Sequence, residues 1–410
     1  MHIAKSNKVT FDKTYFNINF LIFTLILPIS LLGYIPTFPY WLYNISIYIT
    51  IPLFLLLILF KKRISVTQNE LLFLVIYITA ILISFLFSPF SLSFSGILRA
   101  VSPIFSYYLV RQLGIRKNNG YYIILYILLV ISFLFALYQF LFQPLYEIEQ
   151  GGLWVIRADD VLPILKRPVS YLGNANVFGI FTVLTYLILL EFRDKLPKLH
   201  KITIFFLCIV NIILFSKSRT SMTAFVLVIL LFDIYRGKYI KVASIFLMLS
   251  IIIGFILINF NNFEYLDDLF RLSALSETED NSFTIRKRIA EFAMNLIYQR
   301  PLFGVGVGNE FLLMQSTTAP HKGMESATML LLIERGVFGY IIYLFVLFYK
   351  FLTAKKNITK VLIGVVFISV DFTETVCVLP QLTSFIAIYL AVTENSLNLS
   401  LPSKKTVNVI

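Results

Sequence analysis

The chain has 410 residues, of which 58% belong to the AVILMFWYC set and only 14% are charged; mean hydropathy is +0.84. Soluble domains average about 45–50% apolar and about 25% charged residues, so lipid must be the solvent for most of this chain. The net charge of +13 does not make it a nucleic-acid binder, because the basic residues are not gathered into one domain. Cys208 and Cys377 both sit in apolar runs and offer neither a disulfide framework nor a metal cluster.

A spanning helix needs roughly 20 mostly apolar residues. The pattern predicts twelve: 16–34, 41–60, 71–88, 97–113, 121–142, 171–191, 202–216, 220–235, 240–259, 336–353, 359–375 and 378–393. The fourth is weakened by Arg99, and only a few polar residues separate the seventh from the eighth. The basic N-terminal start has the look of a signal peptide. Its apolar run is too long and lacks an A-x-A cleavage pattern, so it reads as an anchor. No internal repeat, inverted echo or low-complexity segment is evident.

Lysine and arginine positions set orientation, because cytoplasmic loops retain them. With the N-terminus inside, the seven inward segments hold 22 of the 35 basic residues. They run from Lys5, Lys8 and Lys13, through Arg193, Lys198, Lys201, Arg236, Lys238 and Lys241, to Lys404 and Lys405. Short outward loops 35–40 and 89–96 carry none. Both termini are therefore expected in the cytoplasm. Nearly all remaining cations fall in outward segments 143–170, 216–219 and 260–335. Long loops translocate regardless of charge, which accounts for the first and third. It does not account for Lys217 and Arg219 in a short turn, and cations at such a rim are usually functional.

The stretch 261–335 is the only one long enough to fold outside the bilayer. Ile285, Ile289, Phe292, Ala293, Leu296 and Ile297 recur at helical spacing, so 283–299 reads as an amphipathic helix with Arg286, Lys287 and Arg288 in its first turns. Pro301 ends it, and Gly304, Gly306 and Gly308 follow. Their spacing is not a dinucleotide fingerprint. A basic amphipathic helix also suits a resting place on anionic headgroups, the structural reading for Lys287 and Arg288. Beyond it, Glu325 and Glu334 are acid–base candidates. For Glu334 a rim ion pair with Arg335 is the preferred reading, and for His321 a solvent-facing loop position.

Three blocks resemble the membrane-embedded superfamily of O-antigen ligases and O-antigen or capsule polymerases. The first is Arg167-Pro168 with Gly173-Asn174-Ala175-Asn176 opening a span. The second is Ser216-Lys217-Ser218-Arg219-Thr220-Ser221. The third runs from Arg286 through Pro301-Leu302-Phe303-Gly304-Val305-Gly306 to Glu334-Arg335-Gly336 and Gly339. Together they cover about 165–345.

The resemblance implies an all-α polytopic membrane protein of about twelve transmembrane helices, with one long outward loop containing short amphipathic helices. Residues 1–260 would hold spans one to nine, 261–335 the outward catalytic loop, and 336–410 the last three spans and a cytoplasmic tail. The implied setting is the bacterial cytoplasmic membrane. The implied activity is polymerisation or ligation of glycans on a polyprenyl diphosphate carrier, without metal, nucleotide or other cofactor. A flippase and a chain-length regulator are the implied protein partners, besides membrane lipid.

Arginine suits a lipid diphosphate, because its planar fork binds phosphate oxygens bidentately. Arg219 also opens a helix, whose free N–H groups favour an anion. Arg219 and Arg286 are therefore the expected catalytic cations. Arg167, Asn174, Asn176, Lys217 and Arg288 form the expected substrate-binding set. The sequence departs from its apparent relatives at the base: nine residues before Glu334, their histidine position holds Glu325, and the following asparagine position holds Ser326. Either Glu325 has replaced the base or His321, four residues earlier, supplies it. The departure favours a polymerase over a ligase.

A flippase or transporter for lipid-linked oligosaccharide is the competing class, although transporters usually show repeated halves and sites at the midplane. A non-catalytic scaffold of an export complex would not need the rim arginines.

Overall fold

The computed structural model describes residues 18–31, 52–53, 64–66, 68–88, 94–116, 118–142, 168–193, 196–258, 281–309, 326–352, 358–371, 380–397 and 407–409. Among them stand twelve α-helices. In chain order they are α1 (Ile18–Leu31), α2 (Gln68–Leu86), α3 (Phe94–Leu113), α4 (Asn119–Phe142), α5 (Ala175–Leu190), α6 (Lys198–Ile209), α7 (Arg219–Tyr235), α8 (Tyr239–Ile258), α9 (Asn281–Gln299), α10 (Ala327–Leu352), α11 (Ile358–Asp371) and α12 (Pro380–Leu397). The strands described are β1 (Ile64–Val66) and β2 (Val407–Val409), which pair antiparallel.

Helices coincide with eleven of the twelve expected spans. The other, 41–60, lies outside the described residues except for Pro52 and Leu53. Gly120–Phe142, Lys198–Ser216 and Ala327–Val346 are long and apolar enough to cross a membrane, and shorter apolar helices accompany them. Their outer faces are apolar too. On α4, Ile127, Ile131, Leu134, Tyr138 and Leu141 recur at helical spacing and are all exposed. Soluble monomers rarely expose contiguous apolar patches of more than a few hundred Å². Such a stripe is at ease against acyl chains.

The core is built around α5, fourteen of whose sixteen residues are buried. A helix apolar on every side has no solvent face to offer and belongs inside. It packs against α4, α7 and α11, and Phe181 meets Phe385 of α12 with ring centroids 5.2 Å apart. α3 and α12 form a close pair, tied at one end where Arg111 lies 3.9 Å from Glu394, which also accepts from the Tyr107 hydroxyl.

The expected amphipathic helix is present as α9. Its apolar face does not need the bilayer: Ile289 and Ala293 are buried against Ile333 of α10 and Val305. Phe292, Leu296 and Ile297 complete that contact with Met329 and Leu330. α10 begins at Ala327, nine residues before the expected start of the span at 336. The expected boundary survives as a break, because Gly336 has φ 65° and ψ −176° inside the helix.

Candidate functional site

Two constellations hold the family-like blocks. The first is the cation turn. α6 continues through Val210–Ser216 as a π-helix, a form common at functional sites. Lys217 then turns left-handed at φ 49°, and its N–H closes onto the Ile212 carbonyl at 3.0 Å. Ser218 caps α7, accepting the Ser221 N–H at 3.3 Å. Arg219 is therefore the first helical residue, exposed, at a helix end that already favours anions.

The neighbouring chain is locked against this turn. Gln139 of α4 accepts the N–H groups of Val169 and Ser170 at 3.1 and 2.8 Å and donates to the Ser170 carbonyl at 3.2 Å. Asn174 caps α5, accepting the N–H groups of Asn176 and Val177 at 2.8 and 3.2 Å. The Ser216 hydroxyl donates to the Ala175 carbonyl at 2.8 Å. Gly179 makes this approach possible, since a Cβ there would stand 2.5 Å from the Ser216 hydroxyl oxygen and 2.2 Å from that of Ser221. The described parts of the first two family-like blocks are thus one packed unit. Asn174, expected to bind substrate, spends its side-chain oxygen on the cap; half-buried Asn176 stands beside it.

The second constellation is a clasp between the glycine loop and the break in α10. An unbroken helix would send the N–H groups of Val337 and Phe338 to the carbonyls of Ile333 and Glu334. Instead they donate to the carbonyls of Pro301 and Leu302 at 2.7 and 3.2 Å. The abandoned carbonyls of Ile333 and Glu334 accept from Val305 and Gly306 at 2.8 and 2.9 Å. An unsatisfied backbone group in the hydrocarbon region costs several kcal/mol, and a break is tolerated where neighbours re-satisfy it. The clasp answers all four groups. Gly304 and Gly336 are required by close approach: a Cβ on either would lie 2.3–2.4 Å from backbone of the opposite strand of the clasp.

The loop is pinned further. The Glu334 carboxylate accepts the Gly308 N–H at 2.7 Å, and the Arg300 guanidinium donates to the Phe87 carbonyl at 2.5 Å. Ser88 donates to the Val305 carbonyl, and Phe303 stacks on Phe87 with centroids 4.5 Å apart. Glu334 and Arg335, expected as a rim pair, are instead both buried.

Arg335 points to a feature that the sequence did not announce. It lines a cavity of about 190 Å³ among α2, α3, α10, α11 and α12, together with Arg99, Tyr107 and Tyr108. Its Nη1 donates to the Tyr77 hydroxyl at 3.0 Å, and its guanidinium lies 5.4 and 5.9 Å from the Tyr77 and Tyr343 ring centroids. Its Nε has no hydrogen-bond partner among the described residues. Arg99, a blemish in a predicted span, finds a wall to line. The available signal was Arg99 inside a predicted span, since an arginine within an apolar helix says function more often than accident; Arg335 fell just outside the span that the sequence predicted.

The expected residues fall as follows. Lys217 and Arg219 share the cation turn with Asn174 and Asn176. Arg286 and Arg288 lie in the first two turns of α9, where the backbone alone is described. Arg167, His321 and Glu325 lie outside the described residues. Ser326 caps α10, accepting the Met329 N–H at 3.3 Å, so Glu325 immediately precedes that cap.

No curated protein matches the chain. The stretch from within α6 to within α10, residues 204–344, contains both the cation turn and the clasp and matches the family model described as O-antigen ligase; with its long apolar helices the chain is an integral membrane protein.

Proposed function

We propose that the protein is a polymerase that joins oligosaccharide repeat units carried on polyprenyl diphosphate, at the outer face of the bacterial cytoplasmic membrane. The observation that carries this reading is the cation turn within the family-matched segment: Arg219 is exposed at the first position of α7, beside Lys217. A diphosphate leaving group gathers charge as the glycosidic bond forms. A fork of donors placed on a helix N-terminus is suited to receive it, and each such donor contributes about 2.7–4 kcal/mol to comparable oxyanion stabilisation.

In this reading the acceptor hydroxyl attacks the anomeric carbon of the growing chain. The bond from that carbon to the diphosphate oxygen breaks, and the lipid diphosphate leaves with the electron pair. The hydroxyl proton passes to Glu325 or His321. Arg219 and Arg286 grip the diphosphate, assisted by Arg167, Lys217 and Arg288. The cavity beside Arg99 and Arg335 suits an amphipathic ligand, since its walls are aromatic and its cations are few.

A ligase transferring the glycan to a lipid A-core or other acceptor uses the same parts, and the family description favours it as the second reading. Purified protein in liposomes, given lipid-linked repeat units alone, is expected to make a ladder of longer glycans. Transfer only when a separate acceptor lipid is added establishes the ligase. Passage across the bilayer without a new bond establishes a transporter.

Orientation is tested separately. A cysteine placed at Ser276, with Cys208 and Cys377 replaced by alanine, is expected to react with an impermeant thiol reagent in spheroplasts. Labelling only after permeabilisation would put 261–335 in the cytoplasm and remove the outward site.

A further inference from the structure

At the opposite ends of α5 and α7 from the cation turn, a larger cavity of about 490 Å³ opens among α5, α6, α7 and α8. Its charged lining is Arg193, Lys201, Lys241 and Asp233, with Tyr186 beside them. Lys241 Nζ stands 2.5 Å from Asp233 Oδ2, so that pair compensates itself. Arg193 and Lys201 have no acid left to neutralise them among the lining residues. Asp233 is buried, and its Oδ1 has no hydrogen-bond partner among the described residues. A buried acceptor without a donor is costly. The cavity thus asks for a ligand with an anion at one point and a donor at another.

The remaining wall, including Tyr186 and Phe205, is apolar or aromatic. Beside the cavity, Ile202, Phe205 and Phe206 of α6 and Ile240 and Phe246 of α8 expose apolar side chains. A ligand seated among the cations would lay its hydrophobic part along those faces. We propose that this cavity holds the headgroup of an anionic phosphodiester lipid that also bears a hydroxyl, with phosphatidylglycerol as the simplest example. Arg193 and Lys201 take the phosphate, and the glycerol hydroxyl donates to Asp233 Oδ1. Basic pockets between transmembrane helices at a bilayer rim bind anionic headgroups on the same physical grounds. All three cations lie in segments expected in the cytoplasm, far along α7 from Arg219, so this lipid is not the glycan donor.

Native mass spectrometry of the full-length protein in detergent tests the assignment with three added lipids. Phosphatidylglycerol is expected to be retained best. Phosphatidylmethanol, with the same charge and no headgroup hydroxyl, is expected to be retained less, and zwitterionic phosphatidylcholine least. Arg193→Gln and Lys201→Gln should each weaken phosphatidylglycerol retention about fivefold, the factor for one cation near a headgroup. Equal retention of all three lipids means an unselective annulus and overturns the proposal. Displacement by soluble glycerol phosphate as readily as by the intact lipid overturns it in favour of a free phosphate site. Should a variant fail to fold, the ranking of the three lipids on the unaltered protein still decides.

Discussion

Glu334 accepts the Gly308 N–H through its carboxylate at 2.7 Å while its own carbonyl accepts the Gly306 N–H at 2.9 Å. One residue of α10 thus holds two points of the glycine loop, and the next, Arg335, faces the aromatic cavity. Loop position and guanidinium position are fixed by the same turn of helix. Anything that shifts the break at Gly336 moves both.

Gly336→Ala is therefore expected to be severe. A conformation of this kind costs a residue with a Cβ about 1–3 kcal/mol in backbone strain, and the new atom would lie 2.3 Å from the Leu302 carbonyl. The measurement is thermal unfolding in detergent together with glycan extension. A fall in both is expected; unchanged stability would mean the clasp yields easily.

Tyr77 and Arg335 form a hydrogen bond between a neutral hydroxyl and a buried charge, a class worth about 1.5–3 kcal/mol. Tyr77→Phe should lower thermal stability without removing the cation. Arg335→Lys keeps the charge but loses the planar fork and its stacking between Tyr77 and Tyr343. It should impair extension more than Tyr77→Phe does. The reverse order would make Arg335 a packing residue only.

Arg219→Ala and Arg286→Ala should each cut glycan extension by about 10²–10³, the scale for losing one preorganised donor, with the protein still inserted and abundant. Lysine at either place should restore little, because a point charge cannot bind two phosphate oxygens in one plane. Near-normal extension by both lysine variants would point to a general electrostatic patch. Lys287→Ala should be mild.

The base is tested by a pair of variants. General-base catalysis contributes typically 10²–10⁴-fold, so Glu325→Gln should reduce extension at least about a hundredfold with lipid-linked substrate still bound. His321→Ala should retain most activity. Inactivity of His321→Ala with an active Glu325→Gln would move the base four residues earlier. If both variants remain active, leaving-group stabilisation alone carries the reaction.

Much of the architecture was legible because apolar runs and basic loops are local signals. The limits of α4 and α7 fall within a few residues of the runs that announced them, and the face of α9 was readable from its spacing. The start of α10 was not. Ala327 to Ile333 are apolar enough to join either a loop helix or a span, and Arg335 beside Glu334 suggested a rim. Burial against α9 and the glycine loop settled the matter in the tertiary structure. Arg219 could be singled out by its place in a short turn expected to face outward, whereas Asn174 could not be recognised as a cap until the backbone of α5 was oriented.

From the sequence alone came the membrane as solvent, the approximate positions of most of the described helices, and the cation turn and the glycine loop as separate segments. These depend on hydropathy, charge and residue type within windows of one helix or one loop. The tertiary structure alone decided that the loop replaces the hydrogen bonds of a broken helix. It alone placed Arg335 in an aromatic cavity with Arg99, and left Asp233 with an unanswered oxygen among three cations. Those relationships join residues as far apart as Tyr77 and Arg335. No local pattern encodes them, because they arise only when buried polar groups must find partners across the packed bundle.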